Sequence, residues 1–210
     1  NPQQATLMDF RIEQHGDCRF MYVLPVDEQT ALVEFTLFSL ELLPPDEYNR
    51  TLHQYLRKSL QLHEGDYQIA HEEFGVIPMT DMRYPRQPGR RIIRIGTAGG
   101  ATKASTGYTF QRIQQDSQQL VHHLVSGQTT SFLPVGHRRF ALFDSVLLNV
   151  MGRHLYPAKQ TFTHLFQKNP PARVLKFLDE DTHLGEDLAI MHSVPVIPFL
   201  RGTWHALRSL

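Results

Sequence analysis

The amino-acid sequence predicts an α+β fold, with an antiparallel sheet first and helices afterwards. Three segments within the first forty residues are rich in Val, Phe, Tyr, Thr and Leu, and short polar turns separate them: 5–13, 18–26 and 30–39. Strands joined by such short turns pair as antiparallel neighbours. Most of the second half has apolar residues at helical spacing. Because the strands precede the helices instead of alternating with them, the pattern favours α+β over α/β.

One helix and a further β segment are predicted between the first strands and the helical region. The helix is expected over 45–60, because residues 44–47 supply the prolines and acidic side chains that favour a helix start. Its apolar residues recur on one face. The segment 67–79 resumes the β pattern, and residues 81–90 are expected to form a polar loop with proline and glycine.

The region beyond residue 107 is predicted to be helical. Apolar residues recur at helical spacing, and prolines mark where one helix should end and the next begin. Six helices are expected, over 107–125, 137–155, 158–167, 171–178, 185–192 and 196–208.

Composition and charge exclude several classes of protein. The 21 Lys and Arg residues balance the 21 Asp and Glu residues, so no net charge directs the chain to nucleic acid. A single cysteine, Cys18, excludes a disulfide framework and fits a reducing compartment. No segment has the roughly 18 consecutive apolar residues of a membrane-spanning helix. The 12 histidines form neither HEXXH nor a paired Cys/His pattern, so no metal site is expected.

A glycine-rich stretch, GTAGGATKASTGY (96–108), separates a short apolar run at 92–95 from a predicted helix. Glycine lets the backbone approach a ligand closely, and N–H groups at a helix start can hold anionic or carbonyl oxygens. A plain strand-to-helix turn is the alternative, but the density of small and hydroxylated residues argues against it. The stretch is neither a P-loop nor a GxGxxG fingerprint, so its spacing alone indicates a cofactor site without naming the cofactor.

Four blocks of the sequence resemble the second half of the flavin-dependent lycopene cyclases of bacteria and plants. They are MDFRIEQHGDCRFMYVLPVDEQTALVEFTLFS, EEFGVIPM, IGTAGGATKASTGYTF and VLKFLDED, in the family's order and over most of the chain. The resemblance implies a lycopene β-cyclase, which converts the linear ends of lycopene into β-ionone rings without net redox change. It also implies reduced FAD as the cofactor and NAD(P)H as the reductant of that flavin.

The same resemblance implies the fold of hydroxylase- and reductase-type flavoproteins. Residues 1–90 would form a central antiparallel substrate-binding sheet with one helix. Residues 91–126 would return to the FAD-binding α/β domain as a strand, glycine-rich loop and helix, and residues 127–210 would form a helical C-terminal region. Because no GxGxxG follows a strand in this sequence, we expect the N-terminal nucleotide-binding half to come from an upstream segment or a partner chain.

The glycine-rich stretch would hold the flavin, if the family's residues are carried over position by position. The ribityl and phosphate side would lie along Gly96, Thr97, Ala98, Gly99 and Gly100. Backbone N–H groups would be brought toward the flavin ring by Thr106, Gly107 and Tyr108. Two positions depart from the pattern: Thr97 stands where related FAD proteins usually have Asp, and Ala104 where many cyclases have Pro.

Glu34 is the predicted catalytic acid. It lies in the strand segment LVEFTLFS among apolar residues, and it matches the essential glutamate of the family's strand motif. An apolar cavity would raise the pKa of its carboxyl group and keep it protonated near neutral pH. A strand glutamate that faces solvent is the alternative that the residues alone favour.

The substrate cavity is expected to be lined by aromatic and apolar side chains that tolerate a carbocation. The predicted lining residues are Tyr22, Phe35, Glu73 and Met79. Strand alternation should place Phe20 and Tyr22 on one face, and Phe35 across the strand from Glu34. Ordinary core packing is the alternative for each of the aromatic residues.

A linear carotenoid is a hydrocarbon dissolved in the membrane, so the resemblance implies peripheral contact at the cytoplasmic face. The C-terminal segment VPVIPFLRGTWHAL mixes apolar residues with Arg and Trp, as interfacial helices do, although a helix packed on its own domain is the alternative. Two other functions remain open. One is an FAD-dependent isoprenoid-lipid reductase or hydroxylase, and the other is a non-catalytic module that binds an apolar ligand.

Overall fold

The computed structural model describes residues 1–127 and 138–209 of the 210-residue chain. In these ranges it contains a three-stranded antiparallel sheet and seven α-helices, which confirms the α+β class. The chain divides into two compact units. The first comprises Asn1–Gly75 with Pro157–Gln160, and the second comprises Val76–Tyr156 with Thr161–Leu210.

The sheet is a meander in the first unit. Its strands are β1 (Thr6–Asp9), β2 (Cys18–Pro25) and β3 (Ala31–Phe38), in the order β1-β2-β3. β2 and β3 pair without interruption from the Cys18–Phe38 pair to the Pro25–Ala31 pair. The three strands predicted from the sequence are therefore confirmed.

β1 ends four residues earlier than the sequence pattern suggested, at Asp9 instead of residue 13. The register with β2 shifts between Thr6 and Asp9, and Met8 has a φ of 52°, which is unfavourable for regular strand. The Asp9 carboxylate also accepts hydrogen bonds from the backbone N–H and the guanidinium group of Arg11. These local bonds turn the chain out of the sheet.

Helix α1 (Pro45–Ser59) covers one face of the sheet, as its apolar stripe requires. The Phe35 and Tyr48 rings lie 5.8 Å apart, and the α1 residue Glu47 accepts a hydrogen bond from Arg19 of β2 at 2.9 Å. Tyr55, which is 2% exposed, donates its hydroxyl proton to Asp9 at 2.6 Å.

The β segment predicted over 67–79 is wrong, since the structure has no strand at these residues. Phe74, Val76 and Ile77 are instead exposed. A strand needs a neighbour for its backbone N–H and C=O groups, and alternation in the sequence does not supply one. The apolar run at 92–95 likewise forms no strand, but only an isolated bridge between Gly89 and Ile92.

Six further helices follow, close to the predicted positions. The helix expected over 107–125 begins at residue 110, because Gly107 has a φ of 76° and ends a turn. The helix expected over 137–155 ends at 152, and residue 137 lies outside the described residues. The helices are α2 (Phe110–Val125), α3 (Arg138–Gly152), α4 (Ala158–Lys168), α5 (Pro171–Leu178), α6 (Leu184–Ser193) and α7 (Val196–Ser209).

α3 and α7 form an apolar core in the second unit. Val146 and Val150 of α3 are buried together with Ala206 of α7. Gly202 allows this close packing, because a Cβ atom there would lie only 2.7 Å from Cγ2 of Val150. One side of α7 is thus fixed by small residues against α3.

Candidate functional site

The acid predicted from the sequence lies on a defined face of the sheet. Glu34 of β3 pairs directly with Tyr22 of β2. Because side chains alternate along a strand, Glu34 shares its face with Phe20, Tyr22 and Phe38. We call this face the acid face; Phe35 lies on the opposite face, which α1 covers.

The acid face carries a cluster of aromatic rings beside Glu34. Phe20 is fully buried, and its ring makes edge-to-face contacts with three others. The centroid distances are 5.6 Å to Phe10, 5.3 Å to Tyr22 and 5.2 Å to Phe38. Ring faces of this kind stabilise a nearby cation electrostatically. The arrangement therefore places a carboxyl group at the margin of an aromatic surface.

The carboxylate of Glu34 is exposed within the first unit, so the apolar surroundings expected for it are absent from the described residues. Its Oε1 accepts a hydrogen bond from the Thr36 hydroxyl at 2.7 Å. Thr36 lies two residues along the same strand, so the bond holds the carboxylate over the acid face. Sequence reasoning did not identify Thr36, although its i+2 spacing from Glu34 was a usable signal.

The other predicted cavity residues lie in different parts of the chain. Phe35 packs on Tyr48 beneath the sheet. Glu73 is exposed and belongs to the first unit, whereas Met79 is half-buried and belongs to the second. Their assignment to a substrate cavity remains a prediction.

The glycine-rich stretch lies in the second unit and begins with a single 3₁₀ turn, Gly96–Gly99. Gly96 and Gly100 have φ values of 59° and 78°, in the left-handed region that favours glycine. The backbone N–H of Gly99 donates to Ile95 O at 3.1 Å, and that of Gly100 donates to Thr97 O at 3.0 Å. These two N–H groups close the turn within the chain, and the placement of a flavin along Gly96–Gly100 stays a prediction.

Gly99 is required by a close contact. A Cβ atom there would lie 2.5 Å from the carbonyl oxygen of Arg94 and 2.7 Å from Nη1 of Arg86. The Arg86 guanidinium donates to Gly99 O at 3.3 Å and pairs with Asp116 of α2 at 2.5 Å. This buried ion pair fixes the turn to α2, and it was not predicted because its two members are 30 residues apart in the chain.

Residues 103–108 form a second closed turn. The backbone N–H of Lys103 donates to Tyr108 O at 2.8 Å, and that of Gly107 donates to Lys103 O at 2.9 Å. Gly107 therefore uses its N–H within the chain. Thr106, in contrast, has a buried hydroxyl oxygen with no hydrogen-bond partner among the described residues. Such a group fits a polar ligand atom at this turn.

A row of threonine hydroxyls connects the two turns. Thr109 Oγ1 lies 3.3 Å from Thr102 Oγ1, which lies 3.0 Å from Thr97 Oγ1. Sequence reasoning chose Thr97 but missed Thr102 and Thr109. Hydroxyls both donate and accept, so the row suits a polyhydroxyl chain or phosphate oxygens. The chemistry of this stretch thus fits the ribityl side of a flavin, through hydroxyls more than through glycine N–H groups.

Other candidate chemistry is not supported. Burial and the neighbouring Asp17 raise the pKa of the Cys18 thiol to about 12, so it is not a nucleophile near neutral pH.

Within residues 1–127 and 138–209, no group of three or more His, Cys, Asp or Glu is placed to hold a metal ion. In the same ranges, no helix combines the length and apolarity needed to cross a bilayer. An open depression of about 490 Å³ on α2 contains none of the predicted site residues.

A match to a known protein family shows which family the chain belongs to. The family described as "Lycopene cyclase protein" matches residues 1–203. The chain belongs to the lycopene cyclase family. No curated protein and no solved structure matches the chain. As a lycopene cyclase family protein, it is assigned to carotenoid biosynthesis and to the carotenoid cyclases.

Within this member of the lycopene cyclase family, the two predicted site elements belong to different compact units. The acid face is part of the first unit, and the glycine-rich stretch is part of the second. Each element is complete as a local structure, since Glu34 is oriented by Thr36 and the glycine turns are closed by their own backbone.

Proposed function

We propose that the chain carries out the redox-neutral cyclisation of the linear ends of lycopene to β-ionone rings, with Glu34 as the acid. The observation that supports it is the pairing of Glu34 with Tyr22 beside the Phe20 ring cluster. A carboxylic acid next to aromatic faces is what protonation of an alkene and stabilisation of the resulting cation require.

The steps balance as an isomerisation. Glu34 donates a proton to the terminal double bond of the substrate, which leaves a tertiary carbocation. The neighbouring double bond attacks that carbon and closes a six-membered ring. A base then removes a ring proton, which forms the β-ring double bond and restores the proton balance. No electron is gained or lost.

Substrate binding would change the surroundings of Glu34. The carboxylate is exposed in the first unit. An apolar chain laid on the acid face would remove water from it. Exclusion of water also prevents capture of the cation. General acid catalysis by one placed group contributes about 10²–10⁴-fold.

We propose that reduced FAD is held in part by the glycine-rich stretch. The hydroxyls of Thr97, Thr102 and Thr109 would bind the ribityl or phosphate oxygens, and Thr106 would donate its buried hydroxyl near Gly107 and Tyr108. When bound, the reduced flavin supplies negative charge that stabilises the cation or assists proton transfer. NAD(P)H would keep that flavin reduced, and a GxGxxG segment outside these residues would hold the adenine half.

We also propose peripheral contact with the cytoplasmic face of the membrane, through α7. Its side away from α3 exposes a continuous apolar sector of Val196, Ile197, Leu200, Trp204 and Leu207. Successive residues of an α-helix are rotated by about 100°, so these five side chains occupy a sector about 100° wide around the helix axis. Arg201 and Arg208 lie at one edge of this sector. An apolar sector with Trp and flanking cations is typical of helices that lie in a membrane interface.

Pigment analysis in a lycopene-accumulating bacterial host tests the proposed function. The gene's full product should convert lycopene to a ringed carotene, and Glu34→Gln should abolish the conversion because an amide cannot donate the proton. Glu28→Gln, an exposed turn carboxylate, is the matched control and should retain activity. Full activity of Glu34→Gln would remove Glu34 from the mechanism. Unchanged lycopene with a flavin-bound wild type, or NAD(P)H consumed in step with product, would favour the reductase or hydroxylase.

A further inference from the structure

Lys103 occupies an unusual position beneath the second glycine turn. It is a lysine at 1% exposure, in the middle of a stretch made mostly of small residues. Its Nζ lies 2.8 Å from Oδ1 of Asp144 on α3 and 3.3 Å from Oε1 of Glu180, which follows α5. A buried ammonium group is expensive unless it is paired, so the site is built around these contacts.

Asp144 binds the turn twice. Its Oδ1 accepts the Lys103 ammonium at 2.8 Å and the Ser105 hydroxyl at 2.6 Å. Lys103 and Ser105 flank Ala104 in the glycine-rich stretch. One carboxylate on a helix thus holds two alternate side chains of the turn.

Backbone hydrogen bonds connect the anchored Lys103 to the other end of the turn. Lys103 N–H binds Tyr108 O, and Lys103 O accepts from Gly107 N–H, so the whole loop 103–108 closes on Lys103. The loop's orientation is therefore set where Lys103 is fixed. Thr106, with its unpartnered buried hydroxyl, lies within that closed loop.

The charges of the cluster balance. Arg112 of α2 lies 3.4 Å from Oε1 of Glu180, so two cations, Lys103 and Arg112, meet two anions, Asp144 and Glu180. All four side chains are largely buried. Removal of one member leaves an uncompensated buried charge, whereas joint removal of Lys103 and Asp144 leaves one cation and one anion.

We propose that Asp144, through Lys103 and Ser105, is the positioning residue that orients the 103–108 loop toward its cofactor. The proposal rests on the proposed flavin role of this loop. The anchor acts on the loop's direction, not on the cofactor directly, since its side chains contact each other beneath the turn. Its loss therefore lowers flavin affinity even where the protein remains folded.

A single and a double variant distinguish an effect on loop orientation from an effect on protein stability, because only the double variant keeps the buried charges balanced. Lys103→Met should lower both the melting temperature and the flavin affinity of the full gene product, the latter by at least about tenfold. The double variant Lys103→Met/Asp144→Leu should recover most of the melting temperature, because the remaining charges balance. Its flavin affinity should stay low, because the anchor is still absent. Recovery of affinity in parallel with melting temperature would overturn the proposal and leave a structural role only.

A milder pair of variants keeps the test valid if the charge variants do not fold. Ser105→Ala removes one contact to Asp144 and leaves the ion pair, so flavin affinity should fall several-fold with little change in melting temperature. Ser145→Ala is the matched control, since Ser145 is equally buried and donates to Asp81 at 2.5 Å outside the loop. Equal affinities of these two variants would contradict the proposal. Absence of flavin binding by the wild type would instead refute the proposed cofactor role itself.

Discussion

At the scale of single residues, the first unit is organised by carboxylates with definite partners. Glu34 faces Tyr22 across the sheet and accepts from Thr36, whereas Asp9 is enclosed at the end of β1. Burial would raise the pKa of Asp9, but hydrogen bonds from Arg11 and Tyr55 outweigh it and lower that pKa below its ordinary value of 3.8. One carboxylate is thus available to a ligand and the other is committed to the fold.

The lowered pKa of Asp9 predicts that the stability of the fold decreases in acid. Because its folded pKa is depressed, its contribution is present above the unfolded value near 3.8 and is lost as the pH falls through the lower folded value. Asp9→Asn should reduce the free energy of unfolding at pH 7 by about 1–3 kcal/mol, because Tyr55 and Arg11 lose a charged acceptor. It should also flatten the fall in stability below pH 4.

Urea unfolding followed by circular dichroism at pH 7, 4 and 3 measures both effects. Glu41→Gln, at an exposed position after β3, is the control and should leave the curve near that of the wild type. A variant Asp9→Asn with the wild-type slope below pH 4 would show that Asp9 does not set the acid limit.

At the scale of elements, α7 has two apolar sides with different residues. The side toward α3 uses Gly202 and Ala206, whereas the outer side exposes Leu200 and Trp204. Small residues permit close helix packing, and large exposed ones leave surface for another partner. The guanidinium of Arg208 lies 5.1 Å from the Trp204 ring centroid, which orders the cationic edge of this outer side.

The outer side of α7 is expected to bind anionic lipid bilayers. In vesicle co-flotation, the full gene product should bind phosphatidylglycerol-containing vesicles more strongly than purely zwitterionic ones, because Arg201 and Arg208 attract anionic headgroups. Leu200→Glu should lower the bound fraction at least about fivefold. Val121→Glu, on the exposed surface of α2, is the matched control. Equal loss in both variants, or a dimer dispersed by Leu200→Glu without vesicle binding, would rule out the lipid partner.

At the scale of the whole molecule, the two candidate site elements belong to different compact units. The acid face lies in Asn1–Gly75 with Pro157–Gln160, and the glycine-rich stretch lies in Val76–Tyr156 with Thr161–Leu210. The family match extends through both, over residues 1–203. Each unit therefore supplies one part of the proposed chemistry, the acid or the flavin contact.

Flavin retention should depend on more than these 210 residues. The glycine-rich stretch offers hydroxyls for the ribityl side, but the sequence has no GxGxxG turn for the adenine half. The chain expressed alone should therefore purify without FAD, as judged by absorbance near 450 nm. The full gene product should retain FAD. Stoichiometric FAD in the chain alone would show that the described turns suffice.

The sequence by itself determined the elements that local physics controls. Alternating β-branched and aromatic residues with short turns specified the three strands, and Pro-Pro-Asp-Glu specified the start of α1. The four blocks indicated the family, which the match over 1–203 confirms. These signals lie in neighbouring residues, so they can be recognised without knowledge of the rest of the chain.

Only the tertiary structure decided which residues meet. The segment 67–79 has a strand-like pattern but forms no strand, because pairing needs a neighbour. Lys103, Asp144 and Glu180 are far apart in sequence, and nothing local marks them as one buried cluster. The sequence left two alternatives for Glu34, an apolar cavity and a solvent-facing position, and the structure shows an exposed carboxylate because the solvation of a side chain depends on what packs over its strand.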